Sequence, residues 1–413
     1  MPVTVKIESL GAQGDGIAHH EGRTLYVPYT LSGETVEVDV KGKQAVLKKV
    51  VEPAPERAEA PCPHFGVCGG CALQHMSEEA YKTFKQQKVH HALQAAGLDA
   101  VAVEEVQLLP ISSRRRTVLK AAYMKGKVQL GYYQKKTHNL INITSCLVLD
   151  PAINTLLEAI QKLLNSLLTK QKHTAEVSLT LTDSGVDLLL TLEKAAEIDL
   201  VMREKLAAFA AAHKLVRFVV KHSGFEDPIA MHSIPVVNFG FVPVEVSSGC
   251  FLQASKMADE MLFDLMDIQG KNLKIADLFC GRGTFSFPLA DYGTVDAYEA
   301  DRIALQAMQQ AARQHKKPVE AIYLNLFQDP LSADALNKYD AVVLDPPRAG
   351  AEAQCVTLAA SQVPQTHYVS CNVDSFARDA KTLVEGGYTL QKITPVDQFR
   401  YAHHIEVVAL FTK

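Results

Sequence analysis

The chain has 413 residues, 47% of them hydrophobic, with eight cysteines and a formal charge of −4. That length calls for two or three domains with real cores, and no stretch approaches the ~18 uninterrupted apolar residues of a membrane span. The start, Met1-Pro-Val-Thr-Val-Lys-Ile-Glu8, lacks a basic and an apolar leader region, so no secretory signal is expected. So few cysteines in so long a chain argue against a disulfide scaffold and for a reducing cytoplasm. The net charge does not point to a polyanion binder, but the basic residues are unevenly placed.

Residues 1–52 alternate apolar and polar in short runs such as Val3–Ile7, Thr24–Val27, Thr35–Val40 and Ala45–Val50, separated by Gly14-Asp-Gly16, Glu21-Gly22 and Ser32-Gly33. Short strands joined by such turns predict a small closed barrel of the oligonucleotide-binding kind. The proline-rich run Glu52–Pro61 reads as a linker. A second region, 61–235, opens on Cys62, Cys68 and Cys71, with a distant fourth thiol at Cys146. Four thiolates suit zinc or an iron–sulfur cluster; three close ligands plus one remote lean toward [4Fe–4S] over paired zinc clips.

Between these cysteines lies the most basic stretch: Arg114, Arg115, Arg116, Lys120, Lys125, Lys127, Lys135 and Lys136, with Tyr123, Tyr132 and Tyr133 interleaved. Alternation over Thr117–Tyr123 and Lys127–Tyr133 predicts a hairpin with one cationic face, where cations meet phosphates and tyrosines stack on unpaired bases. Residues 151–168 and 198–213 read as helices and 176–192 as a hairpin, an α+β segment without a nameable site.

From 236 to 413 the pattern is α/β. A strand is predicted over Phe239–Val246 and a helix over Met257–Met266. The run Lys274–Gly283 passes from a strand into a glycine turn, and Thr284–Leu289 opens another helix. Thr294–Glu299 is a strand ending in an acid. A carboxylate about 18 positions past a glycine turn can accept the two ribose hydroxyls of an adenosine, in NAD or in S-adenosylmethionine. Gly281-Arg-Gly283 has no third glycine for a pyrophosphate, which favours S-adenosylmethionine. Two more strand ends carry chemistry: Asp345, before two prolines, and Cys371, after His367–Ser370. A thiol nucleophile beside a methyl donor site is what methylation of a pyrimidine carbon needs.

These residues carry a resemblance. Cys62/Cys68/Cys71/Cys146, Phe251-Leu-Gln253, Asp277–Gly281, Asp345-Pro-Pro-Arg348, Ser370-Cys-Asn372 and His404-Ile-Glu406 make the chain similar over nearly its whole length to the RNA uracil-C5 methyltransferases, in the iron–sulfur branch that modifies 23S ribosomal RNA. The resemblance implies an α/β Rossmann-like methyltransferase domain (236–413), an N-terminal OB-like TRAM β-barrel (1–52) and a central α+β iron–sulfur domain (61–235). It assigns Cys371 as nucleophile, Glu406 as base on a final strand pair over Phe399–Phe411, and Gln253, Phe279, Gly281, Thr284, Glu299, Asn325 and Asp345 to S-adenosylmethionine. It implies a single-stranded or flipped uridine in RNA as target, a [4Fe–4S] cluster, no membrane, and a cytoplasmic protein for which monomer is the default.

The chain departs from the family pattern in Thr284 and Ser255 for asparagine, Asn325 for an acid, and Val373 and Arg400 for proline. Two other readings stay open: a non-catalytic RNA-binding assembly factor, and a redox-sensing cluster protein. A tRNA substrate is the alternative within the family.

Overall fold

Alternation in the first fifty residues produces one sheet of six strands, in the order Val3–Lys6, Thr35–Lys41, Gln44–Glu52, Arg23–Val27, Gly16–His20 and Ser9–Leu10. Its two edge strands are consecutive in the chain, and the Glu8 N–H bonds the Ile17 carbonyl at 2.8 Å, so the sheet curls back on itself. The inward side chains, among them Ile7, Leu25, Val27, Val36 and Val38, form a separate core. The computed structural model describes residues 2–42, 44–170, 173–194, 198–222 and 224–413. Among them no helix is long and apolar enough to cross a membrane.

The second sheet has seven strands, ordered Leu140–Asn142, Lys127–Tyr133, Arg116–Met124, Thr174–Thr182, Gly185–Lys194, Arg217–His222 and Phe225–Met231. Among the described residues its one parallel pair is joined by the helix Leu200–Ala212, as a crossover requires. That helix and Leu157–Leu167 cover one face. The basic hairpin is therefore not a free ribbon: Thr174–Thr182 pairs along Arg116–Met124 and sets Glu176 opposite Lys120.

The third sheet has eight strands: Val319–Tyr323, Gly293–Glu299, Leu273–Leu278, Ala341–Leu344, Gln365–Ser370, Glu406–Thr412, Thr389–Asp397 and Gln107–Leu108. The first five run parallel, and chain order reverses direction between Leu273–Leu278 and Ala341–Leu344. That is the topological switch point, where such sheets bind ligands. The last strand in sequence, Glu406–Thr412, inserts antiparallel between Gln365–Ser370 and Thr389–Asp397.

Four local expectations change. The 239–246 strand is a hairpin, Val236–Phe239 with Val242–Glu245, turning at Gly240 with φ +59°. The helix after the glycine turn is only Ser286–Leu289, because the next strand begins at Gly293. The final strand pair is interrupted over 398–405, where Tyr401 takes φ +65° and cannot continue a strand. The helix Glu78–Ala95 and the strand Gln107–Leu108, counted from sequence in the 61–235 region, pack on the third sheet instead. The apolar face of that helix, including Val89, Ala92 and Leu93, joins the core with Phe376 and Ile393.

Candidate active site

The switch point brings the glycine turn and the acids to one edge. Leu278 ends its strand, and Phe279 (φ +63°), Gly281 (+56°) and Gly283 (+91°) turn the chain sharply. A Cβ on Gly283 would lie 2.8 Å from the Phe287 ring, so the turn can close only on glycine. Glu299 stands across from the turn. Its Oε2 accepts the Gly281 N–H at 2.9 Å, and its Oε1 accepts those of Ala300 (2.7 Å) and Asp301 (2.8 Å). Beneath the turn, Asp277 is fully buried and accepts the Ser286 hydroxyl at 2.5 Å, while its Oδ1 has no partner. Burial, opposed by the Ser286 bond, pushes its carboxyl up to about 7. Phe279 packs against Phe327 with ring centroids 5.3 Å apart. Asn325 caps the adjoining loop, accepting the Phe327 N–H at 3.2 Å, and Thr284 lies half-buried in the turn. Six of the seven expected cofactor residues thus line one strand edge or its turns, and the seventh, Gln253, reaches it from a separate segment.

Asp345, Cys371 and Glu406 meet next to that edge. Glu406 opens an antiparallel strand, so its position coincides with the ends of the parallel ones, in register with Val396. Gln253 Nε2 donates to Asp345 Oδ2 at 3.2 Å, and Gln398 Nε2 donates to Gln253 Oε1 at 2.9 Å. Gln398 also faces the Glu406 carboxylate and favours its charged form, while Glu406 Oε2 is buried without a hydrogen-bond partner. Burial pushes the Glu406 carboxyl up to about 7, with the Asp259 and Asp397 charges adding to it. Asp345 is held well above the carboxylate range, first by burial and then by the Glu406 charge. The Cys371 thiol, half-buried, is raised to about 11 by burial and by the Glu406 and Asp345 charges, against Arg348. Asn372 caps the following helix, Val373–Glu385, by accepting the Asp374 N–H.

Sequence reasoning missed Gln398, which sits in an irregular loop and carries no local signal.

The basic stretch divides on folding. Arg115, taken from sequence as an RNA contact, is only 4% exposed. Its Nε donates to the Gln253 carbonyl at 2.9 Å and its guanidinium to Asp259 Oδ2 at 2.8 Å, so it builds the site and cannot meet RNA. Arg116 donates to the Leu252 carbonyl at 3.0 Å and stacks on the exposed Phe251 ring, and Arg114 lies over Phe399. Lys120 pairs with Glu176. Lys135 and Lys136 pair with Asp15 of the barrel, at 2.6 and 3.7 Å, and so lock two domains together. Tyr132 is turned inward onto the Thr117 hydroxyl at 2.6 Å. Lys125 and Lys127 are exposed. An Arg115→Ala protein leaves Asp259 buried and unpaired, and is expected to unfold about 3 kcal/mol more easily in chemical denaturation.

The four cysteines are close enough to act on one another. Cys62, Cys68 and Cys146 each raise the Cys71 thiol, which burial first drives to about 12. Gly69 touches the hairpin: its N–H bonds the Tyr133 carbonyl at 3.0 Å, and a Cβ there would fall 2.5 Å from that oxygen. Among the described residues no three His, Cys, Asp or Glu side chains are gathered tightly enough for a single metal ion.

A cleft of about 1040 Å³ is lined by Cys371, the barrel segment 9–13, the helix residues Lys88 and His91, and Arg348 and His403.

Against known proteins, the model of the tRNA (uracil-5-)-methyltransferase family matches residues 329–413, that of the TRAM domain residues 2–44, and that of the methyltransferase small domain residues 248–365. An RNA methyltransferase of Brucella suis is 39% identical over 412 residues, covering 99% of this chain and 97% of that one. The 23S rRNA (uracil(1939)-C(5))-methyltransferase RlmD of Shewanella amazonensis is 31% identical, covering 99% and 95%. The Pyrococcus abyssi tRNA (uracil-54, C5)-methyltransferase, solved with S-adenosyl-L-homocysteine, shares the fold with a TM-score of 0.76 over 99% of both chains at 19% identity. Similarity at that level over whole chains, on a barrel followed by a switch-point site, leaves one conclusion: the chain belongs to the RNA uracil-C5 methyltransferase family.

Proposed function

We propose that the protein transfers a methyl group from S-adenosylmethionine to carbon 5 of a specific uridine in RNA, with 23S ribosomal RNA as substrate, through a covalent bond from Cys371 to carbon 6. The observation that carries the reading is the unpartnered, buried Oε2 of Glu406, whose charge is felt by the Cys371 thiol. A buried carboxylate oxygen without a donor is costly unless a ligand or proton completes it.

S-adenosylmethionine supplies an electrophilic methyl group on a sulfonium. The residues present fit it: Glu299 keeps one acceptor site, on Oε2, for a ribose hydroxyl after accepting three backbone N–H groups, and Gly281 opens on free space. The Cys371 sulfur adds to uracil carbon 6, and the displaced electron pair moves through carbon 5 toward the carbon-4 oxygen. Carbon 5 then takes the methyl group. Glu406 accepts the carbon-5 proton, the 5,6 double bond re-forms, and the thiolate leaves. Asp345 and Gln253 border both ligands. The uridine reaches the thiol unstacked from its neighbours, through the cleft between barrel and helix.

A [4Fe–4S] centre would be held by Cys62, Cys68, Cys71 and Cys146, a reading that rests on their three-plus-one spacing in the sequence and on the effect of the other three thiols on Cys71. Bound there, the cluster would tie the segment 62–71 to Cys146, and the methyl transfer would call for no electrons from it. The ribosomal substrate is favoured over tRNA because the 31% identical relative acts on 23S rRNA. A monomer working in the cytoplasm completes the reading.

Anaerobic incubation of the purified protein with methyl-labelled S-adenosylmethionine and unmodified 23S rRNA, with tRNA in parallel, tests it by nucleoside analysis. The expected product is 5-methyluridine in the ribosomal RNA alone. Product only in tRNA moves the substrate, and product in neither, with RNA bound, points to the assembly-factor reading.

A further inference from the structure

The loop 398–405, which delivers Glu406, is held by a helix remote in sequence. On Glu78–Ala95, Tyr81 and Lys85 occupy the inward face, and Lys85 has no exposed surface. Lys85 Nζ donates to Asp397 Oδ1 at 3.0 Å and to the His404 carbonyl. The Tyr81 hydroxyl donates to Asp397 Oδ2 and accepts the Tyr401 N–H at 2.8 Å. The two side chains therefore grip the loop at its start, middle and end. Gln398, the residue after Asp397, carries the contact to Glu406. The Tyr401 carbonyl accepts the N–H groups of Ala72 (2.8 Å) and Leu73 (3.1 Å), directly after Cys71.

A buried ion pair is a poor device for stability alone, since packed apolar residues do as well or better. What this one adds is direction: every bond it makes outside itself ends on the loop before Glu406. We propose that Tyr81, Lys85 and Asp397 are a positioning triad for Glu406, setting through Gln398 where its carboxylate meets the carbon-5 proton. This rests on the methyl-transfer reading above. The triad itself touches neither thiol nor cofactor residues, and although Gln398 also holds Gln253, that side chain keeps its own bond to Asp345, so the triad governs release of the covalent adduct and not its formation.

The test is single-turnover kinetics on the intact, anaerobically purified protein with unmodified 23S rRNA and labelled S-adenosylmethionine, following the covalent protein–RNA adduct on denaturing gels. In Lys85→Met the adduct is expected to form at the wild-type rate and to break down about 10- to 100-fold more slowly. Tyr81→Phe keeps the packing and loses only the hydroxyl; it should show the same split, and it decides the matter if Lys85→Met does not fold. Formation and breakdown slowing together, or neither changing, overturns the triad.

The pH profile of breakdown is a second readout. Glu406 is faced by Asp259 of the helix Lys256–Met266, by Asp345, Cys371 and Gln398, and from behind by Asp397, which Lys85 neutralises. Its midpoint should rise in Lys85→Met and fall in Asp397→Asn; shifts of the same sign overturn the proposal. A wild-type protein that forms neither adduct nor product overturns the methylation reading itself, a different result from variants slowed in both steps.

Discussion

The Cys371→Ala protein is expected to make no 5-methyluridine and no covalent RNA adduct, while binding S-adenosylmethionine and RNA as before. Removing a covalent nucleophile costs on the order of 10⁴-fold or more in rate. Carbon 5 of uracil is too weak a nucleophile without thiol addition, so little background remains. The side chain is half-buried at a strand end, so its truncation leaves the fold intact. A thiol at about 11 is protonated at neutral pH. Its proton must leave to solvent in the cleft that Cys371 lines as the bond to carbon 6 forms, with the Arg348 charge favouring the thiolate and Glu406 kept free for the carbon-5 proton. The cap of the helix Val373–Glu385 next to it favours the developing negative charge. Nucleoside analysis after prolonged incubation is the measurement, and full turnover by this variant would sink the mechanism.

Glu406→Gln is expected to do the opposite to the adduct. Glutamine keeps the shape but cannot accept the carbon-5 proton, so the methylated ring stays bonded to Cys371. One methyl group per protein is transferred and the RNA remains attached on a denaturing gel. In the wild-type protein the same step depends on pH. With its carboxyl near 7, Glu406 is protonated below that value, and breakdown should slow about tenfold per pH unit there and level off above. The variant should lack this dependence. Stability follows with its own sign. A carboxyl raised by folding is favoured in its protonated form, so its contribution is intact at low pH and lost as pH rises through about 7. Glu406→Gln should therefore melt higher than wild type at pH 8 and alike at pH 4. A variant that turns over, or an adduct that decays normally, removes Glu406 from the role.

Several features were legible because their causes are local. The glycine turn at Gly281–Gly283, the acid at Glu299 and the thiol at Cys371 follow from strand periodicity and from backbone that needs positive φ. The helix Glu78–Ala95 carried a signal that went unread: Lys85 falls in the apolar series Tyr81, Phe84, Val89, Ala92, the mark of a buried charge. The cationic hairpin was legible as strands and misleading as a surface, since a lysine's sequence does not say which carboxylate lies opposite. Glu176 meets Lys120 from the neighbouring strand, and Asp15 meets Lys135 from another domain.

The sequence by itself determined the strand ends, the turns and the chemical types placed on them, because these rest on alternation and backbone preference within a few residues. Only the tertiary structure decided their company. The antiparallel entry of Glu406–Thr412 between two strands carries Glu406 to the edge that holds Cys371 and Asp345. Burial then lowers the Lys85 ammonium and raises the Glu406 carboxyl. Both are matters of contacts and desolvation between segments more than 300 residues apart, as Lys85 and Asp397 are at a separation of 312. No local pattern encodes them.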